Sequence, residues 1–541
     1  MAALDRIGDF ALLDDEGEFH QLSRYQHRKA IVLMSYDKYC ENMDSLLEQY
    51  LAIQSKYSDQ QITFLLIDSL NLGPVAESEL DLELPILEDK GQLVSEALGI
   101  SNAGDVLVLN PQRLSLFYRG PASEQLEHTL AAVLEEGLSD TVKLERTGCA
   151  VQYSVRDAHN ETPPDYSTEV APIIIDNCAE CHRQGGVGPF ALDSHIMLMG
   201  WSPMIREVLL NKRMPPMQVD PYISHSRDAR YLSTENLQTL IHWINAGAPR
   251  GSGEVDPLEA MELVDDFSWA LGEPDFIARG PANEVPRTGI MDYIYKEIEL
   301  EFNEDKWIRA IQYKPGDQSV LHHLMTFVTA PDEDFWGPER DQVSVTRRFV
   351  EGYAPGNTHA VEFPRGTGVL IPRGHKLSMQ FHYVTNGQAT VDETQLGLYF
   401  SNETQLQEKL TQAVSSRFVL PPNEANHEMH AEHVFEEDVV LIGVRARMNY
   451  RGKKMKFTLE RADGTLEDIF SVPAYNYGWQ PHYLLDQAIP ISAGSKVHVI
   501  GAFDNSISNP TNPDPSKEVS FGLESWDEMF TGYFSYYQVA D

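Results

Sequence analysis

The sequence predicts a multidomain α/β + α + β chain: an α/β layer, then a small helical module, then two tandem β-sandwiches. Three observations carry this. Strand-like and helix-like segments alternate up to residue 150, a helical apolar stripe lies between Glu169 and Gly251, and short strands with turn signals dominate the rest. A chain of 541 residues is also too long for one core, since domains average roughly 150 residues.

In the first module, 1–150, Ala30–Tyr36 and Ile62–Asp68 are compact apolar runs of strand length, and Asn42 to about Tyr57 has a helical pattern. Strand, helix, strand at this spacing predicts a parallel pair with a crossover helix. Asp105–Asn110 and Leu114–Tyr118 predict a hairpin. Polar residues with Pro163-Pro164 make 151–168 a linker. The helical module spans 169–252. There Ser233 caps a helix with apolar positions Leu237, Leu240, Ile241 and Ile244, ended by Gly247 and Pro249. An acidic connector covers 253–280. The sandwiches follow at 281–416 and 417–541, with hairpin turns expected at Asn386-Gly387 and Asp463-Gly464.

The balance of 42 basic against 82 acidic residues gives a formal charge of −40. That sign opposes nucleic acid and anionic membrane as partners. No apolar run reaches the length of a membrane-spanning helix, so no membrane insertion is expected. Four cysteines in so long a chain are not a disulfide framework. The opening Met1-Ala2-Ala3-Leu4-Asp5 shows no basic segment followed by an apolar stretch, so no signal peptide is visible.

Cys178-Ala179-Glu180-Cys181-His182 is a CxxCH motif. Two thiols at this spacing reach the two vinyl groups of a haem, and the adjacent imidazole falls over the iron. A zinc or redox CxxC pair is the competing reading. Zinc needs further ligands near by, and no other cysteine lies in the helical module. The second axial ligand is expected downstream, at Met214 or Met217 in Arg213-Met214-Pro215-Pro216-Met217, where prolines fix a loop. Met197, Met199 and Met204 read as helix core, and His195, His225 and His242 as ordinary, partly exposed histidines.

Taken together, Cys178–His182, Gly188-Pro189-Phe190, Arg213–Pro216 and Trp243–Pro249 resemble the cytochrome c domain fused to copper type II, ascorbate-dependent monooxygenases. The resemblance implies Met214, rather than Met217, as axial ligand. Val320-Leu321-His322-His323 and Gln380-Phe381-His382-Tyr383 resemble the first copper site of peptidylglycine alpha-hydroxylating monooxygenase and its bacterial relatives. Phe503-Asp504-Asn505-Ser506, Asn509-Pro510 and Trp526-Asp527-Glu528-Met529 resemble signatures of the second domain. Ile7–Leu12 and Gly148-Cys149 resemble the redoxin domain that precedes the cytochrome in some members. What this implies is a thioredoxin-like domain, a cytochrome c domain and paired jelly rolls. The cofactors implied are heme c and copper, with copper at His322, His323 and His382 and with Met529 as a ligand of a second copper. Three neutral imidazoles suit copper. Neighbours in a regular strand point to opposite faces, so His322 and His323 need a bulge to serve one ion.

Relatives carry a His-x-His pair before an Arg-Gly-Lys segment. In Arg447-Met448-Asn449-Tyr450-Arg451-Gly452-Lys453 those places hold Arg447 and Asn449. A guanidinium is always charged and offers no lone pair, so one copper per chain is expected. Just upstream, His427 and His433 share one face of a strand and His430 the other; they read as surface residues, with a relocated metal site as the alternative, and His359 and His375 have no role assigned. Cys40 follows a strand and opens a helix, where backbone dipoles favour a thiolate, making it a candidate redox thiol. It has no neighbouring second cysteine, and Ala103-Gly104 replaces the relatives' Thr-Pro, which points to a degenerate redox domain. Pairing of Cys40 with Cys149 stays open. Two functions follow. One is a periplasmic or extracellular, monooxygenase-like oxidoreductase passing electrons between haem and copper, with a small-molecule substrate or a redox partner protein. The other is a non-catalytic electron carrier or copper-binding protein derived from such an enzyme.

Overall fold

The structure is a computed structural model describing residues 5–57, 60–70, 84–136, 141–146, 148–184, 186, 188–216, 219–226, 229, 231–261, 268–334, 344–354, 360–403, 406–522 and 526–539. The chain forms two compact units. One contains Met1–Asn177, Ser194–Pro216 and Leu232–Ala260; the other contains Cys178–Asp193, Met217–Tyr231 and Met261–Asp541. The segment expected as one helical module at 169–252 is therefore shared. Its helices Ala171–Asn177, His195–Leu210 and Thr234–Asn245 belong to the first unit, and the CxxCH loop belongs to the second.

In the first unit, Ala30–Tyr36 runs parallel to Ile62–Asp68 and antiparallel to Val106–Asn110, which pairs with Ser115–Gly120 in the expected hairpin. Ile86–Glu88 and Val142–Lys143 complete a six-stranded sheet at its two edges. The central strands are continuous apolar runs because both faces are covered. Val32, Met34, Phe64 and Leu66 enter one core, while Ile31, Leu33, Leu65 and Ile67 enter the other. Helix Met43–Tyr57 covers the first face, and its buried Tyr50 hydroxyl lies 2.8 Å from the Val32 carbonyl. Strand order and helix placement make this a thioredoxin-like module.

The segment 151–168 is not a plain linker: Ser154–Glu161 is a helix, and His159 meets His242 of the helix Thr234–Asn245, Nδ1 to Nδ1 at 2.8 Å. Ser233 caps that second helix by accepting from the Asn236 N–H. Its buried face is rotated from the expected stripe: Gln238, Leu240, Ile241, His242 and Trp243 are buried, whereas Leu237 and Ile244 are half-buried. The rotation follows from polar partners, because buried His242 also reaches Glu96 at 3.1 Å. Met197, Met199 and Met204, expected in the core, are exposed. Among the described residues no helix is long and apolar enough to cross a membrane.

The second unit is β-rich. Ile294–Glu299, Lys376–Tyr383, Leu321–Thr329 and Ser344–Tyr353 form one layer. Phe276–Arg279, Gln395–Phe400, Lys306–Lys314 and Thr367–Ile371 form another. Between them lie Leu324, Met379, Phe381, Ile308, Ile311 and Leu398. A second sandwich places His427–Val434, Lys496–Phe503, Gly452–Glu460 and Leu466–Val472 over Tyr483–Ile491, Val439–Arg447 and Phe530–Gln538, around Met455, Phe457, Val499 and Phe534. The expected division at 416/417 is not a break. Gln407–Ser416 pairs with Ser344, Val345, Thr346 and Arg347 on one side and with Phe530 to Tyr537 on the other, joining the two sandwiches in one sheet. Asp463-Gly464 turns a true hairpin, with Gly464 at φ +86°. Asn386-Gly387 does not: the strand after it, Thr390–Asp392, pairs with Asn283–Val285 rather than with Lys376–Tyr383.

Candidate functional site: three histidines and a buried arginine

His322 and His323 open the strand Leu321–Thr329, and His382 lies opposite on Lys376–Tyr383. The register steps from Leu321↔Tyr383 to His323↔His382, so His322 is an extra residue on its strand. This bulge turns both neighbouring imidazoles to one side, which a regular strand forbids. One nitrogen from each of the three rings lies within 4.8 Å of the others. His322 Nδ1 and His323 Nδ1 are 3.3 Å apart, and the His323 and His382 centroids are 4.8 Å apart.

Burial holds all three histidines neutral. It depresses His323 well below the usual range, aided by His382 and His322, and brings His382 down to about 3, aided by His322 and Arg447. His322 is lowered as well, again by burial. His323 Nε2 and His382 Nδ1 are buried and have no hydrogen-bond partner among the described residues. An unpartnered buried imidazole nitrogen is costly unless something fills its lone pair or takes its proton. Neutral nitrogens converging in a dry site are the donor set that a transition-metal ion needs. Tyr293 closes one side, 4.9 Å from His382 between centroids, and its hydroxyl lies 3.2 Å from that of Tyr477.

Arg447 also approaches Tyr293, its guanidinium carbon 5.2 Å from the ring centroid. Its Nε donates to Met529 Sδ at 3.0 Å and its Nη1 to Gln480 Oε1 at 3.1 Å. The sulfur expected to bind a second copper thus accepts a hydrogen bond from a buried cation. Asn449 is engaged elsewhere: its side chain donates to the Asp527 carbonyl and its backbone N–H to Glu528. Glu528 also faces Arg451, at 3.5 Å.

The CxxCH segment is a tight turn. His182 N–H donates to the Cys178 carbonyl at 2.9 Å, and Gly188 N–H to the Cys181 carbonyl at 2.8 Å. His182 Nδ1 lies 3.1 Å from the Phe190 carbonyl, which requires the proton on Nδ1 and leaves Nε2 with its lone pair. A Cβ at Gly188 would lie 2.7 Å from His182 Nδ1, so only glycine fits beside the ring. Neither Cys178 nor Cys181 is in a disulfide, and burial pushes the Cys178 thiol up to about 12. Met214 belongs to the first unit and is 38% exposed. Met217 and His359 lie outside the described residues. Cys40, the candidate redox thiol, is buried and disulfide-bonded to Cys149, with Cα atoms 5.7 Å apart. The partner missing near Cys40 in sequence comes from a segment 109 residues later.

No known family profile matches the sequence, and no curated protein does. Solved structures match part of the chain. A hypothetical protein from Sinorhizobium meliloti 1021 is 20% identical over 28% of this chain and 95% of its own, with a TM-score of 0.25. A putative thiol:disulfide interchange protein DsbE from Chlorobium tepidum is 16% identical over 24% of this chain and 96% of its own, TM-score 0.22. Peroxidoxin BcpB from Mycobacterium tuberculosis is 16% identical over 25% and 97%, TM-score 0.22. The thioredoxin-like description of the first module rests on its own strand order.

His195 and His242, expected to be partly exposed, are buried, and His427 and His433 are half-buried. His195 Nε2 meets the Ala248 carbonyl at 2.9 Å, and His433 stands edge-on to Phe435. His225 is exposed, and His375 is half-buried. Sequence reasoning missed Tyr293, Tyr477 and Gln480. The aromatic- and glycine-rich run Asn476-Tyr477-Gly478-Trp479-Gln480, between two strands, was the available signal.

Proposed function

We propose that the chain is an exported redox protein in which a covalently held c-type haem and a three-histidine copper site exchange electrons. The observation that carries the reading is the convergence of half-buried His322 with buried His323 and His382, the last two each with a ring nitrogen that lacks a partner among the described residues. Cys178 and Cys181 would hold the haem by thioether bonds, and His182, through Nε2, and Met214 would be its further protein ligands. When bound, the two metals supply one-electron chemistry. The chain's own part is to keep the imidazoles unprotonated, to orient His182 through the Phe190 carbonyl, and to exclude water with Tyr293 and Tyr477. A small organic substrate or a redox partner protein completes the scheme.

A second reading is electron transfer without oxygen chemistry, and Arg447 favours it, because its guanidinium engages Met529 where a second metal would sit. The test is a haem and metal count on protein made with an export leader and the cytochrome maturation machinery. One haem retained after denaturation and one tightly bound copper are expected. Haem that extracts from the native protein, or no tight copper, sinks the proposal. Oxygen uptake with a reductant then separates the two readings.

A further inference from the structure

A second cluster of donors lies away from the three histidines, on the outer face of the sheet formed by His427–Val434, Lys496–Phe503 and Gly452–Glu460. Residues two apart on a strand share a face, and directly paired residues on neighbouring strands bring their side chains together. His430 and Glu432 are two apart, and Glu432 pairs directly with His498. His430 Nε2 lies 3.0 Å from His498 Nδ1, and Glu432 Oε2 lies 3.4 Å from the same His498 nitrogen. Two ligands of a tetrahedral zinc ion, each roughly 2.0–2.1 Å from the metal, stand about 3.3 Å from one another. The observed spacings match that without movement of the strands.

The other side of His498 makes the cluster more than a chance meeting of polar groups. Its Nε2 lies 2.8 Å from Glu460 Oε2, contributed by the third strand, and Lys496 Nζ lies 3.7 Å from the same oxygen. A carboxylate on the far nitrogen fixes the tautomer and the ring orientation of a metal-bound histidine, and turns the near nitrogen's lone pair towards the ion. We infer that His430, His498 and Glu432 form a surface site for a divalent cation of the zinc class, with Glu460 positioning His498 and water completing the coordination. Nothing in this assignment depends on the buried histidines or on haem.

Zinc chloride titrated into the full chain and into a His430→Asn/His498→Asn variant, followed by calorimetry and equilibrium dialysis, tests it. The variant is expected to bind one equivalent less. Because the comparison is a difference, zinc held elsewhere in the chain cancels. Glu460→Gln should keep the stoichiometry and weaken this site about 10- to 100-fold. Should the double variant not fold, His430→Asn alone, on an exposed side chain, must weaken or remove the same equivalent. An unchanged zinc count in the folded double variant overturns the assignment.

Discussion

Replacing Glu351 by glutamine should destabilise the β-rich unit by several kcal/mol at neutral pH. Glu351, on Ser344–Tyr353, is buried at the seam of the two sandwiches. Its oxygens lie 3.1 and 3.2 Å from His482 Nδ1 and 3.8 Å from Lys409 Nζ, on the strand that joins the sandwiches. Burial by itself would raise this carboxyl. The charges of His482 and Lys409 outweigh it and bring the carboxyl from 4.5 down to about 2. A drop of that size corresponds to about 3 kcal/mol. The folded pKa is depressed, so this stabilisation is present above 4.5 and is lost as pH falls from 4.5 to about 2. Glu351→Gln also leaves the Lys409 ammonium buried without its carboxylate, and breaking a buried pair from one side costs about 3–5 kcal/mol. Urea unfolding at pH 7, read by circular dichroism, measures the difference. Adding Lys409→Met to the Glu351→Gln variant should recover part of it. A single variant within about 0.5 kcal/mol of the parent, with no loss of parent stability between pH 4.5 and 2, would refute the assignment of a charged triad.

Other perturbations bear on the candidate sites. His322→Ala with His382→Ala should remove one tight copper equivalent in a titration, and copper binding unchanged in that variant would discard the trio. Arg447→His with Asn449→His should create a second, methionine-containing copper equivalent by freeing Met529; a count that stays at one would show that the charge is not what excludes it. In haem-loaded protein, Met214→Ala should change the iron's spin state or raise its affinity for added ligands, seen in the visible spectrum, and an unaltered spectrum removes Met214 from the coordination sphere. Reducing the Cys40–Cys149 bond, or replacing both residues with serine, opens a loop whose ends are 109 positions apart in the sequence. The first unit should then lose roughly 5 kcal/mol on the chain-entropy argument, read by thermal unfolding with and without reductant.

Periodicity made much of the fold legible. Ala30–Tyr36 and Ile62–Asp68 could be bounded to the residue, because continuous apolar runs ended by polar residues have one reading in an α/β layer. Ser233 was legible as a cap for a similar reason, since one hydroxyl and one N–H three residues on settle the helix start. What sequence could not carry is pairing between distant segments. Cys40 meets Cys149, His498 meets His430 and Glu432, and Glu351 meets His482 only after sheets have formed. Each contact is set by register, to which local pattern is blind. The same holds for Gln407–Ser416, whose pairing along both edges no local pattern marks. The bulge at His322 stood between these cases. Two adjacent histidines serving one ion demanded an irregularity, and the sequence named its place without showing which strand would yield.

Arg447 also bears on the nearer site. A cation buried among neutral partners is costly, and this one is offset by a thioether, an amide and the face of Tyr293 rather than by a carboxylate. Its field reaches the histidines: after burial and His322, Arg447 is the next influence holding His382 unprotonated. The same field acts on any metal bound there. A copper ion in the trio would keep its singly charged state more readily than its doubly charged one, because the added charge is repelled by a fixed positive group in a medium that screens poorly. Neutral ligands act in the same direction, since they supply no negative charge to offset the second positive one. In the proposed scheme, the guanidinium that engages Met529 would therefore also make a copper ion held by the trio a better electron acceptor. Under the proposal, that would suit receipt of an electron from a haem better than the binding and reduction of oxygen at a second copper.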